Sequence, residues 1–186
     1  MNLTEKWQSG DVNAFESLFR MYKEMVFRIA YLMVSNEEDA KDVLQEVFIT
    51  VWKARSTFDP AKGKLTTWLH RITVNHCLMR HRKRQPVTAS LEETGESVFD
   101  LLEAGVSESP EEIVMSRWEY ERLVAAINSL DGKYRPVFIL RHFDDLSYEE
   151  IACAMNIPLG TVKSRLSHAM KTLREVLVEV ENEECR

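Results

Sequence analysis

Four side chains near the C-terminus of this chain share a chemistry that suits nucleic acids. Lys163, Ser164, Arg165 and His168 stand close together, in and just beyond the stretch NIPLGTVKSRL at residues 156–166. Lys and Arg side chains can donate to guanine edges, whereas Ser can serve either bases or phosphates. On a helix these groups would occupy one side and its flanks. We therefore interpret this stretch as a helix that presents hydrogen-bond donors to DNA.

The segment ahead of this stretch carries clear signals for the start of another helix. Ser147 and Glu150 have the spacing of a capping box, which predicts a helix that begins at Tyr148. Leu146 and Ile151 stand at the two positions of a hydrophobic staple, which sets the direction in which the chain enters that helix. The sequence therefore predicts a short helix directly before the donor-rich one.

A tight turn must join these two helices. Asn156 tolerates the left-handed conformation that can end the first helix. Pro158 prevents its continuation, and Gly160 removes bulk from the first turn of the second helix. The second helix has one apolar side, formed by Val162, Leu166, Ala169 and Leu173. Its other side and flanks bear Ser164, His168, Lys171, Thr161, Lys163 and Arg165. This pattern predicts a helix-turn-helix that enters a DNA major groove; the alternative is a helical hairpin with a solvated basic face.

A second stretch, residues 60–91, is also strongly basic. It contains no acid, and its seven bases are Lys62, Lys64, Arg71, Arg80, Arg82, Lys83 and Arg84. This stretch therefore predicts a cationic surface.

Catalytic and metal-binding chemistry find little support in the sequence. Cys77 and His81 lie four residues apart on a predicted helix, with His70 and His76 nearby, and such spacing can bind a metal. The surrounding positive charge would repel a cation, however, and no phosphate loop or nucleophile elbow is visible. We therefore expect that the chain is not an enzyme and that it uses no cofactor and no small-molecule substrate. The three cysteines are far apart and predict no disulfide framework.

Charge is sorted along the chain despite a net charge of −6. Residues 92–112 contain eight acids and no base, whereas residues 151–174 contain four bases and no acid. Residues 85–109 also show weak apolar periodicity and many small side chains. The pattern predicts an N-terminal domain at 1–85, a flexible acidic linker at 86–109 and a C-terminal domain at 110–186.

Both domains are predicted to be helical, so the fold class is all-α. In the N-terminal domain, Asp11 caps a helix over 12–34, and a Ser35–Glu38 capping box opens a second helix that ends near residue 54. A third helix covers 66–84. In the C-terminal domain, Ser109, Pro110 and Glu112 open a helix that ends near residue 130, and a short helix covers 134–143. No apolar run could span a bilayer and no secretory signal is seen, which predicts a cytoplasmic location.

The two basic segments together resemble a known family. Residues 138–174, FILRHFDDLSYEEIACAMNIPLGTVKSRLSHAMKTLR, are similar to the promoter-reading domain of bacterial sigma factors of the extracytoplasmic-function (ECF) group. DAKDVLQEVFITVWKARSTFDP and TTWLHRITVNHC, within residues 39–77, resemble the N-terminal domain of the same group. The two matches occur in the family's order on either side of the linker.

The resemblance implies site residues in both domains. Core RNA polymerase would be bound by Asp39, Asp42, Gln45, Glu46 and Phe48. The minus-10 promoter element would be recognised and melted by Lys62, Lys64, Trp68, Arg71, Asn75 and Arg80. Melting requires neutralised phosphates and a surface for displaced bases, which Trp68 would supply; the alternative for Trp68 is an ordinary core residue. The minus-35 element would be read by Ser147, Tyr148, Thr161, Lys163, Ser164, Arg165 and His168. The alternative for the acidic residues on the second predicted helix is a solvated face. The family often has an acid where this chain has Met79, so that acid's role is not carried over.

The resemblance also implies partners and a function. The chain would be an alternative sigma factor that directs core RNA polymerase to promoter DNA, in response to stress or envelope signals. An anti-sigma factor, membrane-bound or not, would hold it inactive, and the acidic linker would thread through the polymerase. Two alternatives are a helix-turn-helix regulator that acts without polymerase core and a metal-dependent enzyme.

Overall fold

The structure is a computed structural model that describes the backbone of residues 2–83 and 117–184 and the side chains of residues 2–80 and 122–177. The chain divides into two compact units, and the two described stretches form the main part of one unit each. All regular elements in the described stretches are helical, which confirms the predicted fold class. The predicted linker at 86–109 lies outside the described residues, so the domain boundaries remain predictions.

The helices of the first unit pack around one shared core. Its helices are α1 (Leu3–Gln8), α2 (Val12–Val34), α3 (Glu37–Lys53) and α4 (Leu65–Lys83), with a 3-10 turn at Arg55–Thr57. The carboxylate of Asp11 accepts from the backbone amides of Asn13 and Ala14, so the predicted cap of α2 is confirmed. Helices α2, α3 and α4 pack on one another. Their shared core includes Leu18, Val26, Ile29, Val43, Val47, Val51, Leu69 and Val74.

The start of α3 differs from the prediction. Asn36, and not Ser35, is its N-cap, and the Asn36 side chain accepts from the backbone amide of Asp39 at 2.9 Å. Ser35 has a φ of 56° and ends α2 in the left-handed conformation. An N-cap residue needs extended backbone, which Ser35 cannot adopt while it closes the preceding helix. The predicted Ser35–Glu38 capping box was therefore wrong.

Helix α1 was not predicted from the sequence. It opens with a capping box in which Asn2 accepts from the Glu5 amide and the Glu5 carboxylate accepts from the Asn2 amide. Trp7 near its end is fully buried. The burial of so large a ring anchors the N-terminal segment to the unit.

The second unit contains α5 (Arg117–Ser129), α6 (Arg135–His142), α7 (Tyr148–Met155) and α8 (Leu159–Glu184). The short helix predicted at 134–143 is confirmed as α6, while the predicted start of α5 lies outside the described residues. Helix α8 packs against both α5 and α6. The buried side chains of this core include Ile127, Leu130, Val137, Ile139, Leu140, Ile151 and Val162. Among the helices in the described part of the chain, none is long and apolar enough to cross a membrane.

Candidate nucleic-acid interfaces

Helices α7 and α8 form the predicted helix-turn-helix. The Ser147 hydroxyl accepts from the Glu150 amide at 3.1 Å, and the Glu150 carboxylate accepts from the Ser147 amide at 3.0 Å. Asn156 has a φ of 53°, the left-handed conformation expected after α7. The predicted inner side of α8 is buried, and it consists of Val162, Leu166, Ala169 and Leu173. Local signals at the caps and the turn were therefore sufficient to define this motif.

The outer side of α8 carries the predicted DNA-binding residues. Lys163, Ser164 and His168 are exposed, whereas Thr161 and Arg165 are partly covered. The Ser164 hydroxyl donates to the backbone carbonyl of Thr161 at 3.1 Å, as hydroxyls on helices commonly do. A basic and hydroxyl-rich surface is therefore available to a ligand, as the sequence indicated.

One contact on this surface was not visible in the sequence. The ring of His168 stacks on Tyr134, just ahead of α6, with ring centroids 4.1 Å apart. The ammonium group of Lys133 lies 4.9 Å from the centroid of the same Tyr134 ring. The segment before α6 therefore adds an aromatic and a basic group beside the predicted recognition helix.

Gly160 lies in open space at the start of α8. A Cβ atom built at this position meets no heavy atom within 4 Å, apart from the neighbours and helix backbone that any residue has. The folded unit itself therefore does not require glycine here. The absence of a side chain leaves the N-terminal backbone of α8 accessible, and helix N-termini favour phosphate oxygens.

The basic surface of the first unit lies on α4 and the loop before it. Lys62 and Lys64 on the loop, and Arg71 and Asn75 on α4, are all exposed. Arg71 and Asn75 are four residues apart and so share one face of the helix. The ammonium group of Lys62 lies 3.4 Å from the Asp59 carboxylate, and the Lys62 side chain remains largely exposed. These four predicted minus-10 residues are accessible to DNA.

Trp68 belongs to an aromatic cluster beneath this surface. Its ring centroid lies 5.8 Å from that of Trp7 and 5.5 Å from that of Phe58. Gln8 secures the same region, because its side-chain amide donates to the Phe58 carbonyl at 2.6 Å and the Arg55 carbonyl at 3.3 Å. Trp68 is half-buried, so part of its ring remains at the surface. Sequence reasoning missed Trp7 and Gln8; the capping-box spacing of Asn2 and Glu5 could have revealed their helix.

The predicted polymerase-binding residues on α3 divide into two groups. Asp42, Gln45 and Glu46 are exposed, whereas Asp39 and Phe48 are buried. Phe48 packs edge-on against Phe19, with centroids 4.8 Å apart, and belongs to the core between α2 and α3. Only the exposed group can contact another protein without rearrangement of the unit.

Arg80 on α4 binds the acidic face of α3. Its Nε and one terminal nitrogen donate to Oδ1 of Asp39 at 3.0 and 2.8 Å, and that nitrogen also donates to Asp42 at 2.6 Å. A carboxylate oxygen of Glu46 lies 4.0 Å from the other terminal nitrogen. Partial burial acts to lower the pKa of Arg80, but hydrogen bonds to the two aspartates outweigh it and the pKa is raised.

His76 forms a second link between the same two helices. Its Nε2 lies 2.9 Å from the hydroxyl of Thr50, and its Nδ1 lies 3.2 Å from the carboxylate of Glu46. Cys77 beside it is buried, and burial raises the pKa of its thiol to about 12. Within the described side chains no three His, Cys, Asp or Glu residues are grouped to hold a metal ion. The side chain of His81, which together with Cys77 formed the metal-site alternative weighed from the sequence, lies outside that part.

Family comparisons match both units. Residues 18–87 match Sigma-70 region 2, and residues 120–173 match Sigma-70, region 4. The chain is 34% identical to the ECF RNA polymerase sigma factor SigW of Bacillus subtilis, over 91% of this chain and 92% of SigW. It is 35% identical to the ECF RNA polymerase sigma-E factor of Escherichia coli K12, over 92% of this chain and 90% of that protein.

Solved structures have the same architecture. CnrH, solved with the cytosolic domain of CnrY, matches with a TM-score of 0.70 and 22% identity over 95% of this chain and 96% of CnrH. The sigma factor RpoE of Bartonella quintana, solved with the anti-sigma factor NepR, matches with a TM-score of 0.65 and 25% identity over 88% of this chain and 96% of RpoE.

The two matched regions, one in each helical unit, place the chain in the class of sigma-type transcription initiation factors. The chain belongs to the ECF family of RNA polymerase sigma factors. Its function as an alternative sigma factor follows from this membership, and the reading as a regulator that acts without polymerase core is not favoured.

Proposed function

We propose that the exposed face of α3 binds core RNA polymerase while α4 and α8 read two promoter elements. The observation that carries this proposal is the separation of charge between neighbouring helices. Asp42, Gln45 and Glu46 are exposed on α3, whereas α4 exposes Arg71 and Asn75. An acidic face suits a basic protein partner, and a basic face suits the phosphate backbone.

In the first unit, the loop at 58–64 and the exposed face of α4 recognise the minus-10 element. Lys62, Lys64 and Arg71 neutralise phosphates, and Asn75 is free of the core to hydrogen-bond a base edge. The exposed part of Trp68 offers a stacking surface for a displaced base. The aromatic cluster of Trp7, Phe58 and Trp68 supports this loop from beneath.

In the second unit, α8 enters the major groove over the minus-35 element. Lys163 and Ser164 are exposed near its N-terminus and read bases, whereas the partly covered Arg165 binds phosphate. Thr161, Ser147 and Tyr148 lie at the starts of the two helices, where they contact the DNA backbone. His168, held by Tyr134, completes the surface.

The acidic linker at 86–109 keeps the free chain from binding DNA tightly, because its charge opposes the approach of a phosphate backbone. Core polymerase would sequester the linker and hold the two basic surfaces at a fixed spacing, which raises effective concentration. The chain acts in the cytoplasm as a binding factor, and catalysis belongs to the polymerase.

An anti-sigma factor, membrane-bound or not, is the proposed regulator, and its release would follow stress or an envelope signal. The structural similarity to RpoE of Bartonella quintana, which was solved with the anti-sigma factor NepR, supports this part of the proposal. Affinity purification of the chain from its own bacterium should recover polymerase subunits and such an inhibitor. Activity that simply follows the amount of chain, with no inhibitor under any condition, would contradict it.

The experiment that tests the proposal is transcription from a random promoter library with purified core polymerase of the same bacterium. Addition of the chain should select a defined pair of upstream elements. Selection of DNA by the chain alone, with unchanged start sites after core enzyme is added, would instead support a regulator that acts without polymerase core.

A further inference from the structure

We propose that Asp39 and Arg80 are positioning residues that hold α4 against α3, and that neither contacts polymerase or DNA directly. This inference rests on the proposed function, because it assigns roles within the same two surfaces. It differs from the expectation drawn from sequence, in which Asp39 binds polymerase and Arg80 binds the minus-10 element.

The first observation is the burial of Asp39. Its residue surface is only 3% exposed, and two nitrogens of Arg80 donate to its Oδ1. A carboxylate removed from water needs a charged and hydrogen-bonded partner, because the unpaired ion would be strongly destabilising. If Arg80 left Asp39 for a DNA phosphate, the buried carboxylate would lose both of these hydrogen bonds and the charge of the guanidinium, which would destabilise the unit.

The second observation is the acidic surroundings of Arg80. Its guanidinium also donates to Asp42, and Glu46 lies at 4.0 Å. An approaching phosphate would meet these carboxylates as well as the guanidinium, and like charges repel. Arg71 on the same helix is exposed and has no ion pair among the described residues. Arg71 is therefore the better phosphate ligand of the two.

The third observation is the spacing of the linked residues. Asp39, Asp42 and Glu46 occupy one face of α3, while His76 and Arg80 are four residues apart on one face of α4. The bonds from Arg80 to Asp39 and from His76 to Glu46 tie these faces at two places, which are one turn apart on α4 and two turns apart on α3. The rotation of α4, and hence the direction of Arg71 and Asn75, is set by these ties.

The test is a double-mutant cycle with Asp39→Asn, Arg80→Met and the double variant, and with Arg71→Met as the matched control. Arg80→Met should raise the equilibrium constant for unfolding about 100-fold or more, because it takes two hydrogen bonds and a positive charge away from a buried carboxylate. The double variant should recover most of that loss, since the buried charge is removed as well. Denaturant unfolding of the purified full-length chain measures all four proteins.

DNA binding separates positioning from direct contact. Holoenzyme affinity is measured against salt concentration on a promoter that the wild-type holoenzyme selects from the library. Because the double variant retains the His76–Glu46 tie and the packed core between the helices, Arg71 should keep its direction, and the folded double variant should keep the wild-type salt slope. Arg71→Met should instead keep wild-type stability and reduce the slope by about 1. If Arg80→Met does not fold, that outcome agrees with the proposal, and the double variant still supplies the salt slope.

Two results would overturn the inference: wild-type stability of Arg80→Met, or a double variant that folds well yet loses salt slope as Arg71→Met does. Failure of the wild-type holoenzyme to select any promoter would instead count against the proposed function. The unfolding cycle needs no DNA, so it would still decide whether the Asp39–Arg80 pair holds the helices together.

Discussion

The imidazole of His168 lies against the ring of Tyr134, with centroids 4.1 Å apart and ring planes inclined by 30°. This contact joins the predicted recognition helix α8 to the segment before α6, and it restrains an otherwise exposed side chain. A restrained side chain loses less conformational entropy when it binds a ligand. The geometry of the DNA-facing surface thus depends on a residue more than thirty positions away in sequence.

Loss of this stack should weaken promoter binding without unfolding the unit. We expect Tyr134→Ala and His168→Ala each to reduce holoenzyme affinity for a minus-35 duplex. Their combined effect should be less than the sum, with a coupling energy of about 0.5–1.5 kcal/mol. Tyr134→Phe, which keeps the ring, is the control. Full additivity of the two alanine variants would show that the contact is energetically unimportant.

Alanine variants on α8 should divide into two classes. Lys163→Ala or Ser164→Ala should relax preference at one position of the minus-35 element and reduce affinity for the preferred sequence by about 1–3 kcal/mol. Arg165→Ala should weaken binding to all sequences alike and flatten the salt dependence. Transcription from a promoter library with each variant measures both effects. Unchanged upstream preference in all of them would remove α8 from recognition.

Gly160 should tolerate a side chain in the fold but not in the complex. Because a Cβ there meets no neighbouring atom, Gly160→Ala should preserve or raise stability, by up to about 1 kcal/mol. Gly160→Leu should fold as well and bind core polymerase normally, yet bind minus-35 DNA poorly. Thermal unfolding and holoenzyme binding assays distinguish the two effects. Normal DNA binding by the leucine variant would mean that the start of α8 does not approach DNA closely.

The N-terminal helix should stabilise the loop that approaches the minus-10 element. Trp7→Ala should destabilise the first unit by about 3–5 kcal/mol, because a fully buried ring is lost. Gln8→Ala should cost about 0.5–1.5 kcal/mol and slow promoter opening, because the Phe58 carbonyl loses its donor. Permanganate reactivity of the opened strand measures this step. Lys6 is exposed on the same helix, so Lys6→Ala is the control. Equal rates of promoter opening with Gln8→Ala and Lys6→Ala would contradict the role of Gln8.

Cys77 and Cys153 should differ sharply in reactivity. Burial raises the pKa of the Cys77 thiol to about 12, whereas Cys153 is exposed. At pH 8 an alkylating reagent should label Cys153 in the folded chain and Cys77 only after unfolding, as peptide mass spectrometry would reveal. Below about pH 9 the Cys77 thiol is protonated in both the folded and the unfolded chain, so its raised pKa does not change the free energy of unfolding. As the pH rises toward 12, the unfolded chain loses its thiol proton first, so the contribution of Cys77 to stability declines. Fast labelling of native Cys77 would contradict its burial.

Much of the helix-turn-helix could be predicted because its signals are local. The Ser147–Glu150 capping box, the left-handed Asn156 and the apolar positions of α8 each involve residues a few positions apart. The structure confirms all three. Local signals fail where two of them compete: Ser35 and Asn36 are both good N-cap residues, and the end of α2 at Ser35 leaves the cap of α3 to Asn36.

The sequence alone therefore determined the helical class, the helix-turn-helix and the two segments of basic charge, because caps, turn residues and periodicity act over one or two helical turns. Only the tertiary structure decided which of several chemically alike side chains, such as the aspartates of α3 and the arginines of α4, are accessible. Asp39 and Asp42 lie on the same helix, yet only Asp39 is buried, and Arg80 is bound to both while Arg71 is exposed. The reason is physical: the burial and pairing of a charge depend on which helix packs beside it, and that neighbour is distant in sequence.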